Sequence, residues 1–163
     1  MQLNKRATKK QNLNQTKGSW TVAEIEITYK PIITYHTIIS SSSQAYELIK
    51  QLWDNEKINL QEQFAALFFN QSKKIIGWKV LSTGNMTKCI VDVKLLVSLA
   101  LHCMCTHVMI VHNHPSGNLK VSQSDENITA TVKDALKLID VQLLDHLIID
   151  ENGYFSFNDE GLF

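Results

Sequence analysis

His112 and His114 stand two residues apart in the run Val111-His112-Asn113-His114-Pro115-Ser116-Gly117, and Ser122 and Asp125 follow it. Val108-Met109-Ile110-Val111 is short, apolar and β-branched, the pattern of a buried strand. Side chains at i and i+2 leave a strand on the same side, so both imidazoles can face one point. Pro115 and Gly117 break the strand and open a loop. Ser122 reads as a helix N-cap with Asp125 at the third helical position, as in a capping box, so the carboxylate is held where it can turn back toward the histidines. Two neutral imidazoles and one carboxylate make a three-residue zinc set, and a catalytic zinc site keeps its fourth position for water.

The spacing H-x-H-P-x6-S-x-x-D resembles the JAMM motif of the JAB/MPN metalloenzymes. The wording His112-Asn113-His114-Pro115-Ser116-Gly117 is similar to the bacterial RadC branch of that family. The resemblance runs over about residues 60–163, from Glu62-Gln63-Phe64 through Leu144-Asp145-His146 to Gly153-Tyr154-Phe155-Ser156. It implies a curved mixed β-sheet flanked by helices, related in architecture to zinc-dependent cytidine deaminases, with zinc held by His112, His114 and Asp125. The zinc lowers the pKa of its water toward about 7, and a carboxylate takes that proton and passes it to a leaving amine. Glu62 stands just before the apolar run Phe64–Phe69 and can be placed by it; Glu56, Asp92 and Asp145 are the rival carboxylates. The family's catalytic glutamate stands in an E-x-F context, which Glu62-Gln63-Phe64 matches. A serine at the position of Ser122 helps hold the oxyanion in the family, while a capping role alone accounts for the residue type. Asn113 departs from the Ser or Thr between the histidines of the eukaryotic deubiquitinating members, which weakens a claim to ubiquitin-like substrates.

Asp145 and His146 alternate within a strand-like run, so one faces in and one out; one of them can orient a zinc histidine or meet substrate, but structural pairing is the preferred reading. His102, Cys103, Cys105 and His107 look like ligands, but free cysteine at a helix end and strand start behaves as a small hydrophobe, and C-x-C without a second pair is a poor zinc site.

The elements that must position these groups follow from periodicity. Val22–Tyr29 alternates as a half-buried strand, Ile32–Ile39 is extended, and Ser40–Ser43 caps a helix over 43–54, with Trp53 in the core. Phe64–Phe69 reads as a central strand buried on both faces and Ile75–Leu81 as its hairpin partner, broken at Gly84-Asn85. Cys89–Val91 is extended, and from Asp92 a helical apolar pattern runs through Leu96, Ala100 and Leu101 to Met104, ending near Cys105-Thr106. Ile128, Val132, Ala135, Leu136 and Ile139 give an amphipathic helix. Val141–Ile149 and Tyr154–Phe157 are strands joined by an Asp150–Gly153 hairpin turn. This order of hairpins and crossovers predicts an α/β (α+β) domain with a mixed sheet and helices on its faces.

The 163 residues, 44% apolar, support one globular domain with a modest tail. The expected division is a disordered basic tail over 1–18, a strand and helix extension over 19–59, and the RadC-type JAB/MPN domain over 60–163. No apolar run reaches the ~18 residues of a membrane span, and the basic N-terminus lacks the apolar core of a secretory signal. Three cysteines suggest no disulfide framework, which points to the reducing cytoplasm. The zero net charge divides into +5 on residues 1–18, from Lys5, Arg6, Lys9, Lys10 and Lys17, and −5 on the rest. The tail therefore offers cations to nucleic acid, while the body offers no basic stripe.

The expected function is a zinc metallohydrolase of the JAMM type acting on peptide or isopeptide bonds of a protein or peptide substrate. The alternative is a DNA-repair or recombination-associated protein acting on or near nucleic acid. Longer RadC-like chains carry a helix-hairpin-helix module before this domain, where this chain has a strand, a helix and a tail, and the neutral charge opposes a strong phosphate grip. A third reading, a binding module that has lost activity, is opposed by the complete set of metal and base residues.

Overall fold

The computed structural model describes residues 38–84 and 91–163. The expected tail over 1–18, the strand Val22–Tyr29 and most of the extended pieces at 32–39 and 89–91 lie outside the described residues. The elements run α1 (Ser42–Leu52), β1 (Gln63–Phe69), β2 (Ile75–Thr83), α2 (Val93–His102), β3 (His107–Asn113), α3 (Gln123–Lys137), β4 (Gln142–Ile149) and β5 (Tyr154–Ser156). The strands form one mixed sheet in the order β2-β1-β3-β4-β5. β1 pairs antiparallel with β2 and β3, β3 pairs parallel with β4, and β4 pairs antiparallel with β5.

Apolar runs without alternation become the two middle strands because both sheet faces are covered. Every residue of β1 and of β3 is buried. Their pleat sends Ala65, Leu67, Phe69, Met109 and Val111 to one face, under Ala45, Tyr46 and Ile49 of α1. Phe64, Ala66, Phe68, Val108 and Ile110 go to the other, under Leu96 and Ala100 of α2 and Val132 and Leu136 of α3. Trp53 caps α1 from inside the core and meets Trp78 edge-on at 5.7 Å between ring centroids. No helix of the described residues is long and apolar enough to cross a membrane.

The helix into β3 ends earlier than its apolar pattern. α2 stops at His102, and Met104, expected on its apolar stripe, is 81% exposed with φ 51°. The Cys105 amide donates to Ala100 O and the Met104 amide to Leu101 O, a left-handed stop usually built on glycine. α3 ends the same way: Asp140 has φ 55°, and the Val141 and Asp140 amides donate to Leu136 O and Lys137 O. Each stop turns the chain directly into a strand of the parallel pair β3–β4. Neither left-handed residue is a glycine, so periodicity had no stop to read.

In the β3–β4 pair, Val108 faces Leu143 but Met109 faces Asp145, so Leu144 is an extra residue in β4. Such a bulge inverts the alternation beyond it. Leu143 packs on the α2/α3 side, while Leu147 and Ile149 pack on the α1 side. His146 is thereby aimed to the α2/α3 side, where His112 also lies.

Candidate metal centre

β3 delivers His112 to the α2/α3 face, stacked on Phe64 with 6.0 Å between ring centroids. The chain leaves the sheet one residue after Asn113, yet the His114 amide still donates to Ile149 O at 2.9 Å. That bond holds the second imidazole beside the first, with His112 Nε2 and His114 Nε2 2.9 Å apart. α3 supplies the carboxylate. Ser122 is its N-cap, and Asp125 at the third helical position closes a capping box. Asp125 Oδ2 accepts from the Ser122 amide and hydroxyl, each at 2.7 Å. Asp125 Oδ1 lies 3.2 Å from His112 Nε2, and Oδ2 lies 3.9 Å from His114 Nε2.

The carboxylate also sits at the positive end of the α3 macrodipole, which favours its charged form. Burial works to raise the Asp125 pKa, but the hydrogen bond and charge of His112, then the Ser122 hydroxyl and amide, outweigh it and hold the carboxyl well below the usual range. His146 moves the opposite way for a base: complete burial, then the neighbouring His112, pushes it well below the ordinary imidazole range.

His112, His114 and Asp125 each offer one ligand atom, and these lie within 4.8 Å of one another. His114 Nδ1 stands 2.6 Å from the Asn118 carbonyl, which can only accept, so Nδ1 carries the proton and Nε2 is left bare toward His112. Two imidazole nitrogens and a carboxylate converging on one point, with a ring tautomer that presents a lone pair there, fit a divalent cation of the zinc type.

Glu62 is half-buried and lines a cavity of about 110 Å³ together with His112, Ser124 and Asp125, walled by Phe64 and Ile128. The rival carboxylates lie elsewhere: Glu56 is exposed in the loop after α1, and Asp92 caps α2. Asp145 accepts from Ser156 Oγ at 2.6 Å and from the amides of His146 and Asn158, pinning β5. Of the pair at 145 and 146, the second reaches the centre: His146 Nε2 is 2.8 Å from His112 Nδ1. His102 is bound to Ser98 on its own helix, and His107 to Thr106. Cys105 is buried in the α2/α3 core. A larger groove of about 690 Å³ lies beside His107, Lys133 and Lys137 at the opposite end of β3. Among the described residues the cluster of ligand atoms is at the small cavity, so chemistry and not size marks the centre.

Two contributors went unread in the sequence. Asn113, wholly buried between the two histidines, points to the opposite face from His112 and clamps the segment that carries Glu62. Its Nδ2 donates to Ile58 O at 2.6 Å and Gln61 O at 3.0 Å, and its Oδ1 accepts from the Gln63 amide at 2.7 Å. Thr129, buried on α3 one turn after Asp125, touches His146 Nδ1 at 2.6 Å. A polar residue on the buried stripe Asp125, Thr129, Val132, Leu136 was the available signal.

The comparisons agree with this geometry. Residues 39–162 match the family described as RadC-like JAB domain. A UPF0758 protein of Flavobacterium johnsoniae is 42% identical over 125 residues, covering 77% of this chain and 53% of that relative. UPF0758 proteins of Porphyromonas gingivalis and Aquifex aeolicus are 38% and 33% identical, each over 76% of this chain and 54% and 52% of their own lengths. The chain thus spans about half the length of the curated relatives it matches.

Two outcomes follow from the contacts. Asn113→Ala should destabilise the chain by at least about 1–3 kcal/mol, the cost of leaving the buried Gln63 amide without an acceptor; urea unfolding measures it. The depressed Asp125 pKa stabilises the metal-free fold above the unfolded-state value of about 3.9, and that stability is lost as pH falls through the folded value. Asp125→Asn cannot titrate, so its urea midpoint should fall less than the wild type's below about pH 4; parallel acid limbs would contradict the assignment.

Proposed function

Because the chain belongs to the RadC-like JAB domain family, we propose that it is a zinc-dependent hydrolase of the JAMM type that cleaves peptide or isopeptide bonds. The observation that carries the reading is the convergence of His112 Nε2, His114 Nε2 and the Asp125 carboxylate, two of whose residues, His112 and Asp125, share a cavity with Glu62. In this reading His112, His114 and Asp125 hold the metal. A zinc ion there supplies Lewis acidity and lowers the pKa of a water toward about 7.

Glu62 takes the proton of the attacking water and returns it to the leaving amine. Its position just outside β1 gives it a rigid base, and the Asn113 clamp holds the backbone on either side of it. Phe64 and Ile128 limit the water that reaches the carboxylates. Ser122 gives its single proton to Asp125 Oδ2, so its first duty is to hold that carboxylate; its assistance to the oxyanion requires the hydroxyl to turn from Asp125. His114 is the more exposed of the two histidines, so the metal corner opens to solvent on its side. The Asn113 position serves the protein's own backbone, which leaves substrate choice to the loops around the cavity.

Separating metal binding from proton transfer tests the reading. Glu62→Gln is nearly isosteric and should keep one zinc per chain while turnover on a pool of peptides and isopeptide-linked conjugates falls about 10²–10⁴-fold. His114→Ala should lose zinc and activity together, read by metal analysis of the purified protein. Full zinc retention in His114→Ala contradicts the metal set, and undiminished turnover in Glu62→Gln contradicts the base.

A further inference from the structure

His146 and Thr129 join the two arms of the centre behind the ligand atoms. Thr129 Oγ1 donates to the Asp125 carbonyl at 2.5 Å, the bond a helical threonine makes to the residue one turn before it. A hydroxyl has one proton. With that proton on Asp125 O, Thr129 Oγ1 can only accept from His146 Nδ1, 2.6 Å away. His146 therefore carries its proton on Nδ1, and its Nε2 is a bare acceptor. His112 Nδ1 lies 2.8 Å from that acceptor, so it must be the donor. His112 therefore carries a proton on Nδ1, and its Nε2 is the atom turned toward His114 Nε2 and Asp125 Oδ1, where a metal would replace any proton it holds.

We propose that His146 and Thr129 are positioning residues that lock His112 in its metal-binding tautomer and tie that choice to the helix bearing Asp125. The proposal rests on the zinc reading above for its purpose, but the direction of the relay is a property of the metal-free chain. The ring closes on itself: His112 to His146 to Thr129 to the Asp125 backbone, with the Asp125 side chain beside His112 again. Every member is buried, His146 and His112 almost completely, so water has no place to substitute a different donor pattern. Phe157 stacked on His146 at 4.7 Å and Phe64 at 5.8 Å fix the plane of its ring. The β4 bulge at Leu144 puts His146 on this face at all. The hydrogen-bond partner behind a ligating histidine both fixes its tautomer and raises its basicity, and losing such a partner typically costs about 10–100-fold in metal affinity.

Thr129→Val keeps the shape and removes the hydroxyl, and Thr129→Ser restores it. The test uses the full chain without metal, labelled with ¹⁵N, and long-range ¹H–¹⁵N correlation spectra of the imidazoles. In the wild type both His112 and His146 should be protonated on Nδ1. In Thr129→Val, His112 should lose that single tautomer and zinc affinity should fall about tenfold or more; Thr129→Ser should return both to near the wild type. His146→Phe should weaken zinc about 10–100-fold, with folding checked by its circular dichroism. A His112 Nδ1 without a proton in the wild type overturns the relay, as does unchanged Nδ1 protonation of His112 in Thr129→Val. A wild-type chain with the expected tautomers that binds no zinc supports the relay and overturns only the metal reading.

Discussion

β3 is held between β1 and β4 with all of its residues buried, and a strand in that position has no freedom to slip by one residue. Its pleat sends His112 and Asn113 to opposite faces, and the rest of the centre is built from that division. On one side His112 meets α3; on the other Asn113 binds the backbone at Ile58, Gln61 and Gln63. The antiparallel register then places Phe64 opposite His112, so the residue two before it, Glu62, arrives at the cavity. A one-residue shift of β3 would bury Asn113 against α3 and turn His112 to α1, abolishing the ligand set and the clamp together.

The charges arranged on this frame are costly to bury, and the structure offsets each locally. Asp125 is compensated by its capping box, by the α3 N-terminus and by His112. His146 is wholly buried and neutral, stacked on Phe157 and bonded to His112 and Thr129 at its two ring nitrogens. A buried polar network in which each member is satisfied is rigid, and a rigid network is what a ligand set needs if the metal is not to reorganise it on binding. The apolar faces on either side of the sheet supply the stability that permits this polar inclusion.

Local devices were legible in the sequence and long-range ones were not. H-x-H at a strand end and S-x-x-D at a helix start act within a few residues, so His112, His114, Ser122 and Asp125 could be read with their geometry. The buried strand Phe64–Phe69, the hairpin into β2 and the turn at Asp150–Gly153 followed from apolar runs and turn chemistry for the same reason. The Leu144 bulge depends on pairing with a strand far earlier in the chain, and without it the facing of His146 has no sequence signature. The Asn113 clamp spans some fifty residues, and its three backbone partners carry no side-chain signal. α2 ends before its apolar pattern does because Met104 takes a conformation for which glycine is the usual sign.

The central claim is that His112, His114 and Asp125 form one zinc site in this fold. Anomalous diffraction collected on either side of the zinc edge, from crystals of the zinc-loaded chain, tests it directly. The account predicts a single strong peak within about 2.0–2.2 Å of His112 Nε2, His114 Nε2 and an Asp125 carboxylate oxygen, with Glu62 outside the ligand set. A peak held instead by the His102–His107 segment, or no peak at the three residues in zinc-saturated crystals, would contradict it.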